Sequence, residues 1–155
     1  MILQETYKLE NGTKIPKLGL GTWCIDNDKA AQTVRTAVTL GYRLIDTAQA
    51  YENEQGVGEG IRSCSVSREE LFVASKVAAE LKTYEAAAAS IEETLEKMGL
   101  DYLDQMIIHI PPEVKHWHGA APDCWFSHLA VEVPGEDTSN EWCEPVPEET
   151  YKELR

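Results

Sequence analysis

Residues 41–58 read GYRLIDTAQAYENEQGVG, a short apolar segment that ends in an acid and continues into a polar loop. The residues from Tyr42 to Ile45 predict a strand, and Asp46 lies at its carboxyl end. In a parallel α/β sheet or barrel, ligands bind at the carboxyl ends of the strands. Asp46 is therefore a candidate functional group, although an isolated Asp at this position more often caps the following helix. Tyr51 lies in the loop that follows.

Strands and helices alternate on both sides of this stretch. The predicted elements, in chain order, are a strand at Leu18 to Thr22, a helix at Lys29 to Leu40, the strand that ends at Asp46, a helix near Glu54 to Arg62, a strand at Leu71 to Ser75, a helix at Tyr84 to Met98 and a strand at Leu103 to Ile108. Such alternation predicts an α/β fold with a parallel sheet whose strand ends all point the same way. Lys76 and His109 follow the third and fourth strands, so we expect them beside Asp46 at one edge of the sheet.

Local signals add detail at two places. Residues Glu5 to Lys17 predict a β-hairpin, in which Asn11-Gly12 is a favoured two-residue turn. The longest helix has Thr83 as its N-cap and Gly99 as its C-terminal stop. Its apolar stripe, which is predicted to face the core, consists of Ala87, Ile91, Leu95 and Met98.

The pattern GYRxIDTAxxYxNExxVG is similar to a motif of the aldo-keto reductase family, whose members are NADPH-dependent (β/α)8 barrels that reduce aldehydes and ketones. LGLGTW at 18–23, REELFVASK at 68–76 and DYLDxxxIH at 101–109 resemble further motifs of that family in the same order. The resemblance covers about residues 1–110. It implies a partial (β/α) TIM-type barrel of about four βα units, preceded by an N-terminal β-hairpin. Glu52 stands where a glycine is common in the family.

The resemblance implies that Asp46, Tyr51, Lys76 and His109 form a catalytic tetrad. Carbonyl reduction needs a proton for the developing alkoxide, and a tyrosine hydroxyl alone donates slowly at neutral pH. A neighbouring ammonium favours the ionised form of a tyrosine, and an aspartate can hold that ammonium in place. A histidine can orient the carbonyl oxygen by hydrogen bonding. Taken singly, each of the four residue types more often has a structural or surface role.

By the same resemblance, the cofactor is NADPH. Gly21, Thr22 and Asp46 are its candidate binding residues at the nicotinamide end, and Trp23 and His109 are candidates for contact with a small carbonyl substrate. In the family, strands five to eight hold most of the rest of the cofactor, and the resemblance does not extend to them. The segment GVGEG at 56–60 does not fit the dinucleotide-binding fingerprint.

The composition changes after Ile110. Residues 111–155 are rich in proline and tryptophan and predict a β-rich tail with loops. This segment is similar to the later half of a small cupin, a metal-binding β-barrel family. Pro111 to His116 resembles the second cupin motif, PxGxxH, with Glu113 in place of the glycine, whereas the first cupin motif is absent. The predicted domains are therefore residues 1–110 and residues 111–155, joined within IIHIPP at 107–112.

Three tail histidines are candidates for metal ligands. His116 and His118 are spaced to face one side of a strand, and His128 is a possible third ligand. An HxH pair is more often structural than metal-binding. We therefore predict no metal site in this chain.

Charge and length exclude several classes of protein. The formal net charge is -13, which disfavours nucleic acid and anionic membranes as partners. No apolar run approaches the roughly 20 residues of a transmembrane helix, and the first ten residues have no signal-peptide pattern. The cysteines lack CxxC spacing and are predicted to be free thiols, so we expect a cytoplasmic protein. A chain of 155 residues is shorter than the roughly 250 of a full barrel.

Three hypotheses follow from the sequence. The first is an NADPH-dependent reductase of aldehydes or ketones with Tyr51 as proton donor, in which another subunit would supply the second half of the barrel. The second is a noncatalytic half-barrel that self-associates through its sheet edges as a homo-oligomer. The third is a metal-binding module formed by the tail histidines.

Overall fold

The computed structural model describes residues 2–9, 12–109, 147 and 149. The chain divides into two units, Met1–Ile110 and Pro111–Arg155. All helices and strands with described bounds lie in the first unit. Each helix among these residues is too short or too polar to cross a membrane.

A four-stranded parallel sheet is the centre of the first unit. Its strands are β3 (Gly19–Gly21), β4 (Leu44–Asp46), β5 (Phe72–Lys76) and β6 (Gln105–Ile107), after a separate hairpin of β1 (Thr6–Lys8) and β2 (Lys14–Pro16). The strand order in the sheet is the chain order, β3-β4-β5-β6, and all three pairings are parallel. The predicted α/β fold with a parallel sheet is confirmed. Because neighbouring strands run the same way, the residues that end them meet at one edge.

Three helices connect the strands: α1 (Asn27–Thr39), α2 (Glu54–Arg62) and α3 (Tyr84–Met98). Their apolar faces pack on the sheet, and the three helices together with β4, β5 and the residue before β5 form the hydrophobic core. Its buried members are Ala30, Val34, Val38, Ile45, Val57, Ile61, Leu71, Val73 and Met98. Complete burial of one such Val, Ile or Met contributes about 1.5–3 kcal/mol, so these residues account for much of the stability of the unit.

Helix α2 contacts its neighbours closely because it carries three glycines. A Cβ at Gly56 would lie 2.1 Å from the carbonyl oxygen of Asn27, and a Cβ at Gly58 would lie 2.2 Å from that of Met98. A Cβ at Gly60 would lie 2.7 Å from a side-chain carbon of Val34. The GVGEG segment therefore lets α2 approach α1 and α3, and it lies in a helix instead of a phosphate-binding loop.

The boundaries of α3 follow the predicted caps, but its buried face does not follow the predicted stripe. The Thr83 hydroxyl accepts a hydrogen bond from the Ala86 amide, and Gly99 has a left-handed backbone with φ 61°. The buried residues of the helix are Ser90, Thr94 and Met98, whereas Ala87, Ile91 and Leu95 are only half-buried. Of the predicted stripe, Met98 is buried in the core as expected, but Ala87, Ile91 and Leu95 are not. The other buried positions of α3 face polar side chains of α2 and of the loop before it.

The hairpin forms where it was predicted, with a different turn. The Leu9 amide donates to the Thr13 carbonyl at 2.9 Å, so three residues separate this pair. Gly12 has φ +89°. The prediction of a two-residue turn was wrong, because a three-residue loop needs a glycine at its left-handed position and Gly12 provides it.

An ion pair joins the starts of β5 and β6. The Arg68 guanidinium pairs with the Asp104 carboxylate at 2.7 Å and also donates to the carbonyl oxygens of Leu71 and Tyr102. The same Asp104 carboxylate accepts a hydrogen bond from the Val73 amide at 2.9 Å. These contacts fix the register of two strands whose opposite ends carry Lys76 and His109.

Candidate active site

Three of the proposed site residues meet at the carboxyl ends of β4 and β5. The Lys76 ammonium lies 2.7 Å from each carboxylate oxygen of Asp46. It lies 3.0 Å from the Thr47 carbonyl oxygen and 3.4 Å from the Tyr51 hydroxyl, and 5.0 Å from the centre of the Tyr51 ring. The predicted proximity of Asp46, Tyr51 and Lys76 is therefore present in the structure.

Strand register explains this arrangement. Asp46 is opposite Ala74 in the β4–β5 pair, and Lys76 is two residues further along β5, so both side chains lie on the same face at the same end of the sheet. The side chains of Lys76 and Asp46 are 21% and 32% exposed to solvent. The pair is thus partly screened from water but open to a ligand.

The Lys76 ammonium has more oxygen neighbours than N–H groups. It offers three N–H donors, whereas four oxygen atoms lie within 3.4 Å of its nitrogen. The Tyr51 contact is the longest of the four. Asp46 and Thr47 hold the ammonium in place, and the positive charge lies close enough to stabilise negative charge on the Tyr51 oxygen.

Tyr51 lies on a single 3₁₀ turn, Gln49–Tyr51, that follows β4. The turn ends at Glu52, whose backbone is left-handed with φ 56° and ψ 23°. A left-handed position favours glycine, which is the residue common here in the family that the sequence resembles. The loop therefore keeps the conformation that glycine would allow, with Glu52 in its place.

Two amide side chains, those of Gln49 and Asn53, hold this turn. Gln49 donates to the Ser90 carbonyl and to the Thr94 hydroxyl at 3.0 and 3.1 Å, and its oxygen accepts the Ala78 amide at 2.8 Å. The second amide is that of Asn53, which is a specified position of the motif at 41–58, whereas Gln49 is not.

Asn53 is completely buried and connects three segments. Its amide group donates to the carbonyl oxygens of Thr22 and Ile25 at 2.8 and 2.9 Å, and its oxygen accepts the Thr47 hydroxyl at 2.8 Å. The loop after β3, the end of β4 and the start of α2 are joined at this one side chain.

A buried carboxylate lies beneath the turn. Glu54 is 3% exposed, and its two oxygens accept hydrogen bonds from the Ser75 hydroxyl at 2.7 Å and the Thr94 hydroxyl at 3.3 Å. These contacts explain why α3 buries Thr94 in place of an apolar residue. They also tie α2 and α3 to the strand that carries Lys76.

The predicted cofactor residues lie at the end of β3. Gly21 is opposite Asp46 in the register, and a Cβ built there meets no atom within 4 Å, so the strand end is open. Thr22 is completely buried, and its hydroxyl donates to the Asp46 carbonyl at 3.0 Å. Trp23 is 73% exposed beside this open edge.

The fourth predicted residue, His109, makes none of the described contacts with the cluster. It follows β6, is exposed, and shares none of the described hydrogen bonds with Asp46, Tyr51 or Lys76. The side chains that the structure brings together are therefore Asp46, Tyr51 and Lys76, and the role of His109 stays a prediction.

Other candidate features lie elsewhere. An open groove of about 340 Å³ runs along α1 between Leu20 and Tyr42, away from the cluster. Among residues 2–9 and 12–109 no three His, Cys, Asp or Glu side chains are grouped as metal ligands would be. The tail candidates for metal binding, His116, His118 and His128, lie outside the described residues.

Known proteins are similar to this chain in sequence and in fold. The chain matches the Aldo/keto reductase family over residues 17–155. Glyoxal reductase of Bacillus subtilis (strain 168) is 47% identical over 115 residues, which are 74% of this chain and 42% of that protein. A crystal structure of an aldo/keto reductase from Brucella melitensis matches with a TM-score of 0.67 and 39% identity, covering 70% of this chain and 42% of the other.

A further structure, that of the Bombyx mori aldo-keto reductase in complex with NADP, matches with a TM-score of 0.63 and 37% identity and covers 69% of this chain and 38% of the other. The chain thus spans less than half the length of these relatives. The family match nevertheless includes most of the chain and continues past residue 110. The chain therefore belongs to the aldo/keto reductase family.

Proposed function

We propose that this chain takes part in the NADPH-dependent reduction of small aldehydes or ketones, in the cytoplasm, with Tyr51 as the proton donor. The observation that carries the proposal is the Lys76 ammonium, which lies 2.7 Å from both Asp46 oxygens and 3.4 Å from the Tyr51 hydroxyl. The name of the Bacillus subtilis relative, glyoxal reductase, suggests small dicarbonyl compounds as the first substrates to test.

Each residue of the cluster has a distinct part in this proposal. Tyr51 transfers its hydroxyl proton to the carbonyl oxygen, and the Lys76 ammonium stabilises the negative charge left on the tyrosine. Asp46 holds the Lys76 ammonium in place. His109 and Trp23 are proposed to contact the substrate.

The described residues fit the nicotinamide end of the cofactor. The open strand end at Gly21 leaves room beside Asp46, and these two residues would hold that end. Thr22, the third candidate, is buried and hydrogen-bonded to Asp46 and Asn53, so it would support the site from behind. When bound, NADPH supplies a hydride to the carbonyl carbon.

The test uses the full chain with NADPH and either glyoxal or 4-nitrobenzaldehyde, and follows the loss of NADPH absorbance. We expect Tyr51→Phe to lower kcat by about 100-fold or more, because the proton donor is removed. Tyr84→Phe is the matched control, since Tyr84 is an exposed tyrosine at the start of α3. Turnover that is equal in the two variants would remove Tyr51 from the mechanism. Fluorescence titration with NADPH measures cofactor binding separately.

A second candidate function is self-association of a noncatalytic half-barrel. Within the described residues, β3 and β6 each pair with only one strand of the sheet. Apolar side chains are exposed near both edges, with Leu40 at 66% and Ile108 at 54%. A dimer in sedimentation equilibrium, without turnover, would support this candidate, and a monomer at all concentrations would contradict it.

The third candidate concerns the tail. We propose residues 111–155 as a separate β-rich, cupin-like segment, and its support is the division of the chain at Ile110 and the HxH spacing of His116 and His118. Zinc or manganese that stays bound through dialysis and is lost in His116→Ala would support a metal-binding role. A metal-free protein after incubation with both ions would end this candidate.

A further inference from the structure

We propose that Asn53 and Gln49 are positioning residues that hold the Tyr51 hydroxyl and the Lys76 ammonium against each other. This inference rests on the proposed function, because it concerns the same pair of groups. It assigns to two amide side chains outside the tetrad, the buried Asn53 and the half-buried Gln49, the role of setting the distance between Tyr51 and Lys76.

The turn that carries Tyr51 cannot fix its own position. It consists of three residues, closed by the backbone hydrogen bonds from Tyr51 to Ala48 at 3.0 Å and from Glu52 to Gln49 at 3.3 Å. A single turn costs more conformational entropy than its hydrogen bonds return, so it depends on contacts with the rest of the fold. The described polar contact of the Tyr51 side chain is the 3.4 Å contact with Lys76.

Gln49 fixes the first residue of this turn. Its donors reach Ser90 and Thr94 on α3, and its acceptor takes the amide of Ala78, two residues after Lys76. One side chain therefore ties the start of the Tyr51 turn to the segment that leaves the Lys76 strand.

Asn53 fixes the other side of the turn and reaches Lys76 by a second route. Its oxygen accepts the Thr47 hydroxyl at 2.8 Å, and the carbonyl of the same Thr47 accepts the Lys76 ammonium at 3.0 Å. Asn53 thus orients both the loop that carries Tyr51 and one of the oxygens that hold Lys76.

The chemistry of this position requires an amide. Asn53 is 0% exposed and serves two carbonyl oxygens and one hydroxyl at once, which needs two donors and one acceptor. An aspartate would face the carbonyls of Thr22 and Ile25 without a donor, and an apolar residue would leave all three partners without a hydrogen bond. A shift of the loop would relieve either mismatch, and that shift would change the distance from Tyr51 to Lys76.

The experiment reads the position of Lys76 directly, by NMR of protein labelled with ¹³C at the lysine ε-carbons. The Lys76 ammonium lies 5.0 Å from the centre of the Tyr51 ring, so the ring current shifts this signal, which Lys76→Met identifies. Lys17 lies 5.3 Å from the centre of the Tyr7 ring in the hairpin and serves as the internal control. The measurement needs neither NADPH nor turnover, so the reductase proposal can fail while this one stands.

In Asn53→Asp, Gln49→Met and Thr47→Val, we expect the Lys76 signal to move toward its position in Tyr51→Leu, with the Lys17 signal unchanged. Thr47→Ser keeps the hydroxyl and should leave the Lys76 signal at its wild-type position. A Lys76 signal that stays in place in folded Thr47→Val and Gln49→Met would overturn the proposal. Equal movement of Lys17 and Lys76 would also overturn it, because it would indicate general loosening. If Asn53→Asp does not fold, the Lys76 signals of Thr47→Val, Thr47→Ser and Gln49→Met test the proposal.

Discussion

Glu52 has a backbone conformation that is unfavourable for a residue with a side chain. Its φ of 56° is a conformation in which a side chain costs about 1–2 kcal/mol, and the neighbouring residues Tyr51 and Asn53 hold it there. The αL residue allows the chain to pass from the turn into α2 while Tyr51 faces Lys76. The strain is therefore a consequence of site geometry.

We expect Glu52→Gly to raise the free energy of unfolding by about 0.5 kcal/mol, because relief of the left-handed strain exceeds the added flexibility of the unfolded chain. Urea denaturation measures the change. Glu59→Gly is the matched control on α2 and should destabilise by about 1 kcal/mol, since its backbone is helical. A loss of stability in both variants would show that the Glu52 position is not strained.

The Asp46–Lys76 pair gives a second prediction for single residues. Asp46→Asn keeps one acceptor but removes the negative charge opposite a partly buried ammonium, so we expect a loss of about 1–2 kcal/mol in unfolding free energy. Glu93→Gln breaks an exposed pair with Lys97 at 3.7 Å and should change stability little. Equal losses of unfolding free energy in the two variants would mean that partial burial of the Asp46–Lys76 pair adds nothing to stability.

At the scale of elements, the contact of α2 with α3 depends on the absence of one methyl group. We expect Gly58→Ala to destabilise by about 3 kcal/mol, because its Cβ would lie 2.2 Å from the carbonyl oxygen and 2.4 Å from the Cα of Met98, which are backbone atoms. Thermal unfolding by circular dichroism measures the effect. Gly21→Ala is the control, since its Cβ meets no atom within 4 Å. A Gly58→Ala variant as stable as Gly21→Ala would contradict the close packing.

The elements also show what the sequence could and could not predict. The bounds of α3 were predictable because Thr83 and Gly99 act within one turn of its ends. The buried Ser90 and Thr94 were not, because their partners Gln49 and Glu54 lie about 40 residues away in the chain, and no local pattern reports such a pairing. By contrast, the alternation of strands and helices along the chain correctly predicted that Asp46 and Lys76 lie at the same end of the sheet.

The residues that hold the site were harder to foresee than the site itself. Asp46 and Lys76 follow strands, and this position suggested a function. Asn53 is a specified position of the motif at 41–58, but the motif gives no role to it, because a buried amide and a solvent-exposed one look the same in a sequence. Only the three segments around it, brought together by the fold, reveal its role.

The whole molecule carries an excess of acidic residues, with a net charge of -13. These like charges repel one another, and salt reduces the repulsion because the Debye length falls from about 30 Å at 0.01 M to about 3 Å at 1 M. We expect the Tm to rise by a few degrees over this range of NaCl. Lysine substitutions at Glu92 and Glu96, which are exposed on α3, should reduce the rise. A Tm that falls with salt would show that attractive ion pairs outweigh the net repulsion.

The glycines of α2 have a consequence for the cooperativity of folding. Three of its nine residues are glycine, and each costs an isolated helix about 1 kcal/mol relative to alanine. The helix therefore has little stability of its own and exists because α1 and α3 pack against it. Its backbone amides should exchange with solvent deuterium only when those neighbours open as well, so α2 would belong to the slowest-exchanging and most cooperative part of the unit.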